Sequence, residues 1–208
     1  MSTRMNESLQ IAYEGELIGS DFSGQTAKFD LPGADFTGST FDRCKMTGSN
    51  FDGCTFTNSS FRGADMDKCS FRNAILKNCD FSRANVHLSD FTGAVTIGSD
   101  FTGAYGRASL WKDADCRGTH FKRVSFKQAL FIDTDLTNSD IVGAELLGAR
   151  FDGARTKGLR NVEWAIFYWY MSPWGGPPSY HPRPGWKKID GSFLGGVSIQ
   201  ENAAKGRK

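Results

Sequence analysis

Residues 34–153 repeat every five residues, and this period constrains the fold more than any other feature of the chain. Nearly every unit has a large apolar residue in its third place, here called the central position, and a small residue two places earlier, the small position. A period of five matches neither an α-helix, with 3.6 residues per turn, nor a plain strand, with two. The central series runs through Phe36, Phe41, Met46, Phe51, Phe56, Phe61, Met66, Phe71, Leu76, Phe81, Val86 and Phe91, and continues to Phe151.

The spacing within a unit predicts one corner per unit. The small and central residues are two apart, so on an extended backbone they point to the same side. The next inward residue follows three places later, which requires a bend. Gly38, Asn58 and Gly63 are turn-forming residues at the place two after the central residue, here called the corner position. A chain that turns the same way at every corner forms a coil, and coils stack about 4.8 Å apart through backbone hydrogen bonds.

The units resemble those of the pentapeptide repeat proteins, in which a small residue and Asp or Asn precede Leu or Phe. The matching motifs are ADF at 34–36, SNF at 49–51, CDF at 79–81, SDF at 89–91 and 99–101, TDL at 134–136 and SDI at 139–141. The resemblance implies an all-β fold, a right-handed four-sided parallel β-helix with four units per coil. The units from Phe36 to Phe151 then make about six regular coils.

Assigning the units in turn to four sides predicts how the tube is filled. Large residues face large ones across the tube, and slimmer residues fill the two sides between, which would leave few voids. The first side stacks Phe41, Phe61, Phe81, Phe101, Phe121 and Ile141, and the opposite third side stacks Phe51, Phe71, Phe91, Trp111, Phe131 and Phe151. The second side holds Met46, Met66, Val86, Gly106, Phe126 and Leu146, and the fourth holds Phe36, Phe56, Leu76, Thr96, Cys116 and Leu136.

The repeat divides the chain into three parts: an N-terminal segment and capping coil (1–33), the repeat helix (34–155) and a C-terminal cap and tail (156–208). We interpret Ile11–Leu31 as an imperfect first coil, because Phe29 and Leu31 fall out of phase. The aromatic segment Leu159–Met171 is predicted to cover the other end as a short helix or strand. The Pro/Gly-rich stretch 172–186 excludes regular structure, and 186–194 predicts a hairpin around Asp190-Gly191.

The repeat weakens between Val95 and Cys116, where the central positions hold Thr96, Gly106 and Cys116. Replacing a large buried side chain by a small one costs about 2–5 kcal/mol unless the site collapses. We therefore expect either a local bulge or a deformed coil that makes a binding feature.

Composition limits the functional classes. The chain has 25 basic and 23 acidic side chains, so a strong nucleic-acid binder is not expected. The five cysteines are interpreted as small core residues, which suits a reducing compartment. No apolar run of signal-peptide or membrane-spanning length occurs, so we expect a cytoplasmic protein with no membrane association.

No catalytic or cofactor motif stands out. The outward ladder Asp80, Asp100, His120 and Asp140 repeats the preference of the family for Asp, and the three histidines are scattered. We therefore predict no enzyme, no cofactor, no metal and no small-molecule substrate.

Two kinds of function remain. The first is a protein-binding or structural scaffold, which includes a component of a larger assembly anchored by the basic tail. The second follows from the resemblance, because some pentapeptide repeat proteins imitate DNA, bind DNA gyrase and confer quinolone resistance. Those mimics are strongly acidic, whereas residues 20–155 here carry 17 acidic and 16 basic side chains.

A candidate protein-binding surface lies around the thin part of the core. Apolar residues occupy places that should face water, and a basic residue follows the central residue in five consecutive units. The partner is predicted to be a protein, and an acidic one. The alternative is that the aromatic tail of the same chain covers the patch. The apolar residues are Leu110, Leu130 and Ile132 on the third side and Ile75, Val95 and Ile97 on the fourth, and the basic ones are Arg107, Lys112, Arg117, Lys122 and Lys127.

Overall fold

The computed structural model describes residues 17–162, Ala165 and the short strands 187–189 and 192–194. Three predicted features lie wholly or partly outside these residues: the start of the coil at 11–16, most of the aromatic segment 159–171, and the Pro/Gly-rich stretch 172–186. No α-helix occurs in the described residues, which confirms the all-β class there. None of these residues forms a helix long and apolar enough to cross a membrane.

Parallel single-residue bridges join positions twenty residues apart, from Asp30–Asn50 to Asp140–Arg160. The bridging residue is the one before the central residue. The N–H of a central residue donates to a carbonyl of the next coil, as Phe41 does to Ser60 at 2.7 Å, and the N–H of Ser60 donates back to Ser39 at 3.0 Å. Four five-residue units therefore return the chain to the same side.

Every corner position from Gly38 to Gly158 has a positive φ. The N–H of the next small residue donates to the central carbonyl, as Ser39 does to Phe36 at 3.0 Å. A positive φ at the third residue of such a four-residue turn is the geometry of a type II turn, which glycine adopts most easily.

Aromatic stacking fills the tube as the assignment to sides predicted. On the first side, Phe61 and Phe81 stack with ring centroids 4.6 Å apart and planes 4° apart, and Phe81 stacks on Phe101 at 4.5 Å. On the third side, Phe71 stacks on Phe91 at 5.0 Å. Across the tube, Phe81 meets Phe91 edge to face at 6.2 Å and 84°. The predicted facing of large residues is confirmed by these contacts.

Side chains at the small positions donate a second set of hydrogen bonds, to backbone carbonyls of the preceding coil. The Ser59 hydroxyl donates to the Phe36 carbonyl at 2.8 Å, and the thiols of Cys69 and Cys79 donate to the Met46 and Phe56 carbonyls at 3.0 and 2.7 Å. Burial raises the pKa of both thiols to about 12. All five cysteines are free and buried, which confirms their interpretation as core residues.

The first coil is one residue shorter than the others. Asp21 and Thr26 bridge to residues nineteen places on, whereas Asp30 and all later residues bridge at twenty. Because of this shortening, Phe29 at a small position enters the core and packs against Phe51 with centroids 5.5 Å apart, while Leu31 at the central position is only partly buried. The described part of the segment is thus an imperfect coil.

The predicted bulge between Val95 and Cys116 is wrong, as is the deformed coil, because the bridges keep their spacing of twenty through this stretch. Neighbouring side chains occupy the space at Gly106. A Cβ there would overlap the ring of Phe126 and lie 2.9 Å from a methyl of Val86. The indole N–H of Trp111 donates to the Ser109 hydroxyl at 2.9 Å, and that hydroxyl donates to the Gly106 carbonyl at 2.7 Å. Large neighbours therefore replace the missing side chain.

A short antiparallel hairpin follows in the C-terminal part. Its strands are β1 (Lys187–Ile189) and β2 (Ser192–Leu194), with Lys188 opposite Phe193. The hairpin predicted around Asp190-Gly191 is confirmed by these strands.

Candidate functional site

The structure places Leu110 and Leu130 on adjacent coils of the third side, where they form a parallel bridge. Their backbones are held by the ladder, and the Leu130 N–H donates to the Ser109 carbonyl at 3.0 Å. Both leucines and Ile132 are half-buried. These three residues form an apolar strip two coils long.

The fourth side carries a second strip. Ile75 and Val95 form a parallel bridge, and Ile97 follows two residues after Val95. The side chain of Ile75 is 38% exposed, and the other two are half-buried. Three positions of the repeat where Asp, Asn, Thr or Ser are common elsewhere thus hold branched apolar residues.

The five basic residues around these strips are largely neutralised by their own chain. A partner approaching the coil therefore meets little net positive charge from them. Four of the five pair with a carboxylate: Lys112 with Asp113 at 3.8 Å, Arg117 with Asp115 at 2.8 Å, Lys122 with Asp140 at 3.6 Å and Lys127 with Glu145 at 2.9 Å. The fifth, Arg107, donates to the neutral Gln128 side chain at 3.0 Å.

The carboxylate of Asp140, at the place before a central residue, accepts hydrogen bonds from its own unit and from the following coil. It is 5% exposed, and burial acts to raise the pKa of its carboxyl group. Hydrogen bonds from the Asn161 side chain, at 2.8 Å, and from the Val142 N–H, at 3.2 Å, together with the charge of Lys122, outweigh burial and lower this pKa. The carboxylate therefore stabilises the last coil.

In the ladder Asp80, Asp100, His120 and Asp140, the three carboxylates have a structural role. Asp80 and Asp100 each accept the N–H two residues later, at 2.8 Å, which closes their own turns. Within the described residues no group of three His, Cys, Asp or Glu side chains could hold a metal ion.

Three exposed large side chains among the described residues lie outside the predicted surface: Ile18 near the N-terminal end, and two on the second side. Tyr105 and Leu88, on the second side, are 44% and 43% exposed. The His87 ring lies 5.8 Å from that of Tyr105, and its Nδ1 is 2.8 Å from Asp67. Leu88 has φ 55° at a corner where Gly or Asn is usual. The sequence signal was available, because both residues are apolar or aromatic where the repeat favours polar ones.

Two family models match the regular part of the chain. One, described as a pentapeptide repeat region, matches residues 34–105, and the other, described as pentapeptide repeats in eight copies, matches 99–138 and 119–155. Together they cover 34–155, more than half of the sequence. The chain belongs to the pentapeptide repeat proteins. The family predicted from the five-residue motifs is confirmed.

Solved pentapeptide repeat structures resemble the chain. A trypsin-treated variant of QnrB1, a plasmid-mediated fluoroquinolone resistance protein, is 21% identical with a TM-score of 0.53, over 88% of this chain and 90% of that one. Full-length QnrB1 is 14% identical with a TM-score of 0.46, over 85% and 93%. A pentapeptide repeat protein of the Arabidopsis thaliana thylakoid lumen is 32% identical with a TM-score of 0.27, over 52% and 66%. A search of curated proteins found no match.

Proposed function

We propose that this chain is a non-enzymatic scaffold that presents a rigid β-helical surface to a protein partner. In this proposal, residues 34–155 form a right-handed four-sided helix of about six coils, residues 1–33 cap one end, and residues 156–208 cap and extend the other. The likeness to QnrB1 supports the fold, and the regular bridges support four units per coil.

The apolar strips of the third and fourth sides carry the functional proposal. Leu110 and Leu130 bridge each other on one side, as do Ile75 and Val95 on the next. The bridges themselves are made by backbone N–H and C=O groups, so they do not require an apolar side chain at Leu110, Leu130, Ile75 or Val95. Contiguous exposed apolar surface lowers solubility unless a partner covers it, so its presence favours a binding role.

The charges make apolar contact the main source of affinity. Four of the five basic residues already have a carboxylate within 4 Å, so a second carboxylate from a partner would gain little. An acidic partner remains a prediction for Arg107, whose hydrogen-bond acceptor is neutral.

A gyrase-binding DNA mimic is the alternative from the family, and the charge of the chain disfavours it. Such a mimic needs a strongly negative field to replace the phosphates of duplex DNA. Residues 20–155 carry 17 acidic and 16 basic side chains. We expect the purified protein not to compete with DNA for gyrase in a supercoiling assay, and salt-sensitive inhibition of supercoiling would contradict this expectation.

The decisive experiment compares three variants in affinity capture of binding proteins from a lysate of the source cells. Leu130→Glu and Lys112→Glu alter the third side, and Ser82→Glu places the same charge on the first side as a control. We expect Leu130→Glu to abolish capture of a specific protein, Lys112→Glu to weaken it only slightly because Lys112 is already paired with Asp113, and Ser82→Glu to leave it unchanged.

Melting temperatures of the isolated variants separate the two explanations for the patch. An unchanged melting temperature for Leu130→Glu supports a partner site. A lower melting temperature, with capture unaffected by the other variants, would show that the chain covers this patch itself. If all three variants still captured the same protein, the proposal that the Leu110 and Leu130 surface binds it would be wrong.

A further inference from the structure

The corner between the first and second sides alternates strictly between arginine and glycine. Six successive coils place there Arg43, Gly63, Arg83, Gly103, Arg123 and Gly143. The other corner positions from Gly38 to Gly158 hold no arginine. The three arginines, here called the arginine column, recur in every second coil. At the ordinary strand spacing they are about 9.6 Å apart.

Each arginine of the column adopts a left-handed backbone conformation, with φ of 57° at Arg43, 58° at Arg83 and 52° at Arg123. This conformation is disfavoured for residues other than glycine, and asparagine tolerates it better than arginine does. The repeat uses asparagine at other corners, as at Asn58 and Asn138. The recurrence of arginine at three strained corners therefore favours a use of its guanidinium group.

The guanidinium groups of the column have no partner among the described residues. None of them forms an ion pair or a side-chain hydrogen bond within this part of the chain, whereas Arg62 of the first side pairs with Asp42 at 3.1 Å. All three arginines of the column are exposed. A guanidinium carries five donors in a fixed fork, so each of these groups can bind a carboxylate through two hydrogen bonds.

The intervening glycines let the arginine side chains lean in the same direction. The Cγ atoms of Arg43, Arg83 and Arg123 lie 3.9, 3.8 and 3.4 Å from where a Cβ would be on the glycine of the following coil. Each arginine stem therefore lies over that glycine. A cation at the glycine position would be only about 4.8 Å from the next cation, where like charges repel. The alternation thus gives a regular row of positive charges.

The spacing of the column matches a peptide in the polyproline II conformation. Three residues of that conformation complete one turn and rise about 9.3 Å, so every third side chain points the same way. A β-strand repeats its face about every 6.7 Å, which does not match. An α-helix rises about 10.5 Å in seven residues and drifts by about 20°. The polyproline II period therefore keeps an acidic side chain opposite each of the three arginines.

From the unpaired charges and their spacing we propose that the arginine column binds an acidic peptide in the polyproline II conformation, with Asp or Glu at every third residue. Residues 20–155 carry 17 acidic side chains, which repel a polyanion charged at every unit. A peptide charged at every third residue instead places its carboxylates at the arginines. The column lies away from the apolar strips of the third and fourth sides. Because the ion pairs are exposed, the contact is weak and depends on salt.

Fluorescence anisotropy with two labelled peptides tests the spacing, using the full chain at low ionic strength. The first peptide has four Glu-Pro-Pro repeats, and the second has the same composition with its four glutamates in succession. We expect the first peptide to bind about fivefold more tightly, because it reaches all three arginines, and its affinity to fall as salt is added. Equal affinities, no binding of the first peptide, or tighter binding of a single-stranded oligonucleotide would overturn the proposal.

Two corner variants test the residues of the column with the same repeat peptide. Arg83→Asn suits the left-handed corner, so it should weaken binding about threefold without lowering the melting temperature. Lys68→Asn is the matched control, because it removes the same charge from a left-handed corner of the second side, where Lys68 is paired with Asp67 at 3.1 Å. This control should leave binding unchanged. Equal weakening by the two variants would show that general positive charge, and not the column, attracts the peptide.

Discussion

At the scale of single residues, the central phenylalanines carry most of the stability. Phe81 is fully buried, stacked between Phe61 and Phe101 at 4.6 and 4.5 Å. Phe81→Ala should lower the free energy of unfolding by about 3–5 kcal/mol, because the stacked neighbours cannot collapse into the cavity. Denaturant titration measures this change.

Asp80→Ala is the matched control one residue away. Its carboxylate accepts the Ser82 N–H at 2.8 Å, so the expected loss is about 1 kcal/mol. Similar losses for the two variants would mean that the inward and outward positions are assigned incorrectly.

Gly106 tests whether the weak unit is filled or hollow. Because the ring of Phe126 and a methyl of Val86 occupy the space of a Cβ, Gly106→Ala should destabilise the protein by about 1–3 kcal/mol. Thermal melting of this variant decides the point, and a gain in stability would reveal a cavity there.

The local sequence of this unit could not predict its packing. Thr96, Gly106 and Cys116 predict lost volume, but the compensation comes from Phe126 one coil away and from Trp111, whose indole reaches the Ser109 hydroxyl. Which side chains from other units fill this space depends on their conformations in the folded protein, and the local sequence does not give these. The period of five, together with the four units per coil that the family resemblance implies, predicted the bridge partners of the regular units, because each unit has the same length.

At the scale of the repeat unit, the corner decides which residues are tolerated. Ala108 occupies a corner with φ 55°, whereas Ala104 is buried at a small position. Ala108→Gly relieves the left-handed conformation and should stabilise the protein by up to about 1 kcal/mol. Ala104→Gly should destabilise it by about 1 kcal/mol, because it only adds freedom to the unfolded chain. Chemical denaturation should show that the free energy of unfolding rises in Ala108→Gly and falls in Ala104→Gly. A change in the same direction in both variants would contradict the corner assignment.

The candidate site was predictable at this scale only in part. The spacing of twenty predicted that Leu110 and Leu130 would be adjacent, since both occupy the same place in their units. The ion pairs of the basic residues were not predictable, because a long side chain can reach carboxylates in its own unit or in the next coil. Lys122 pairs with Asp140 eighteen residues on, and Arg117 pairs with Asp115 two residues back.

At the scale of the whole molecule, the stack transmits stability only between neighbouring coils. Each coil bonds to the coil above and the coil below, so a coil near an end has fewer supporting partners. The first coil has a register of nineteen instead of twenty and adjoins the coil of Cys44. Cys79 lies further from that end, and its unit contributes Phe81, which stacks on Phe61 of the preceding coil. Opening should therefore begin at the N-terminal end.

Thiol labelling followed by mass spectrometry can measure this order, because the cysteines are distributed along the stack. Burial raises the pKa of Cys44, and that of Cys79 to about 12, so neither thiol reacts in the closed state near neutral pH. We expect Cys44 to be labelled before Cys79 under mildly destabilising conditions. A raised thiol pKa contributes stability that is present below the unfolded value of 9.0 and is lost as pH rises towards the folded one, so labelling should accelerate above about pH 9. Equal labelling rates at the two cysteines would show that the stack opens in one cooperative step, which would contradict opening from the end.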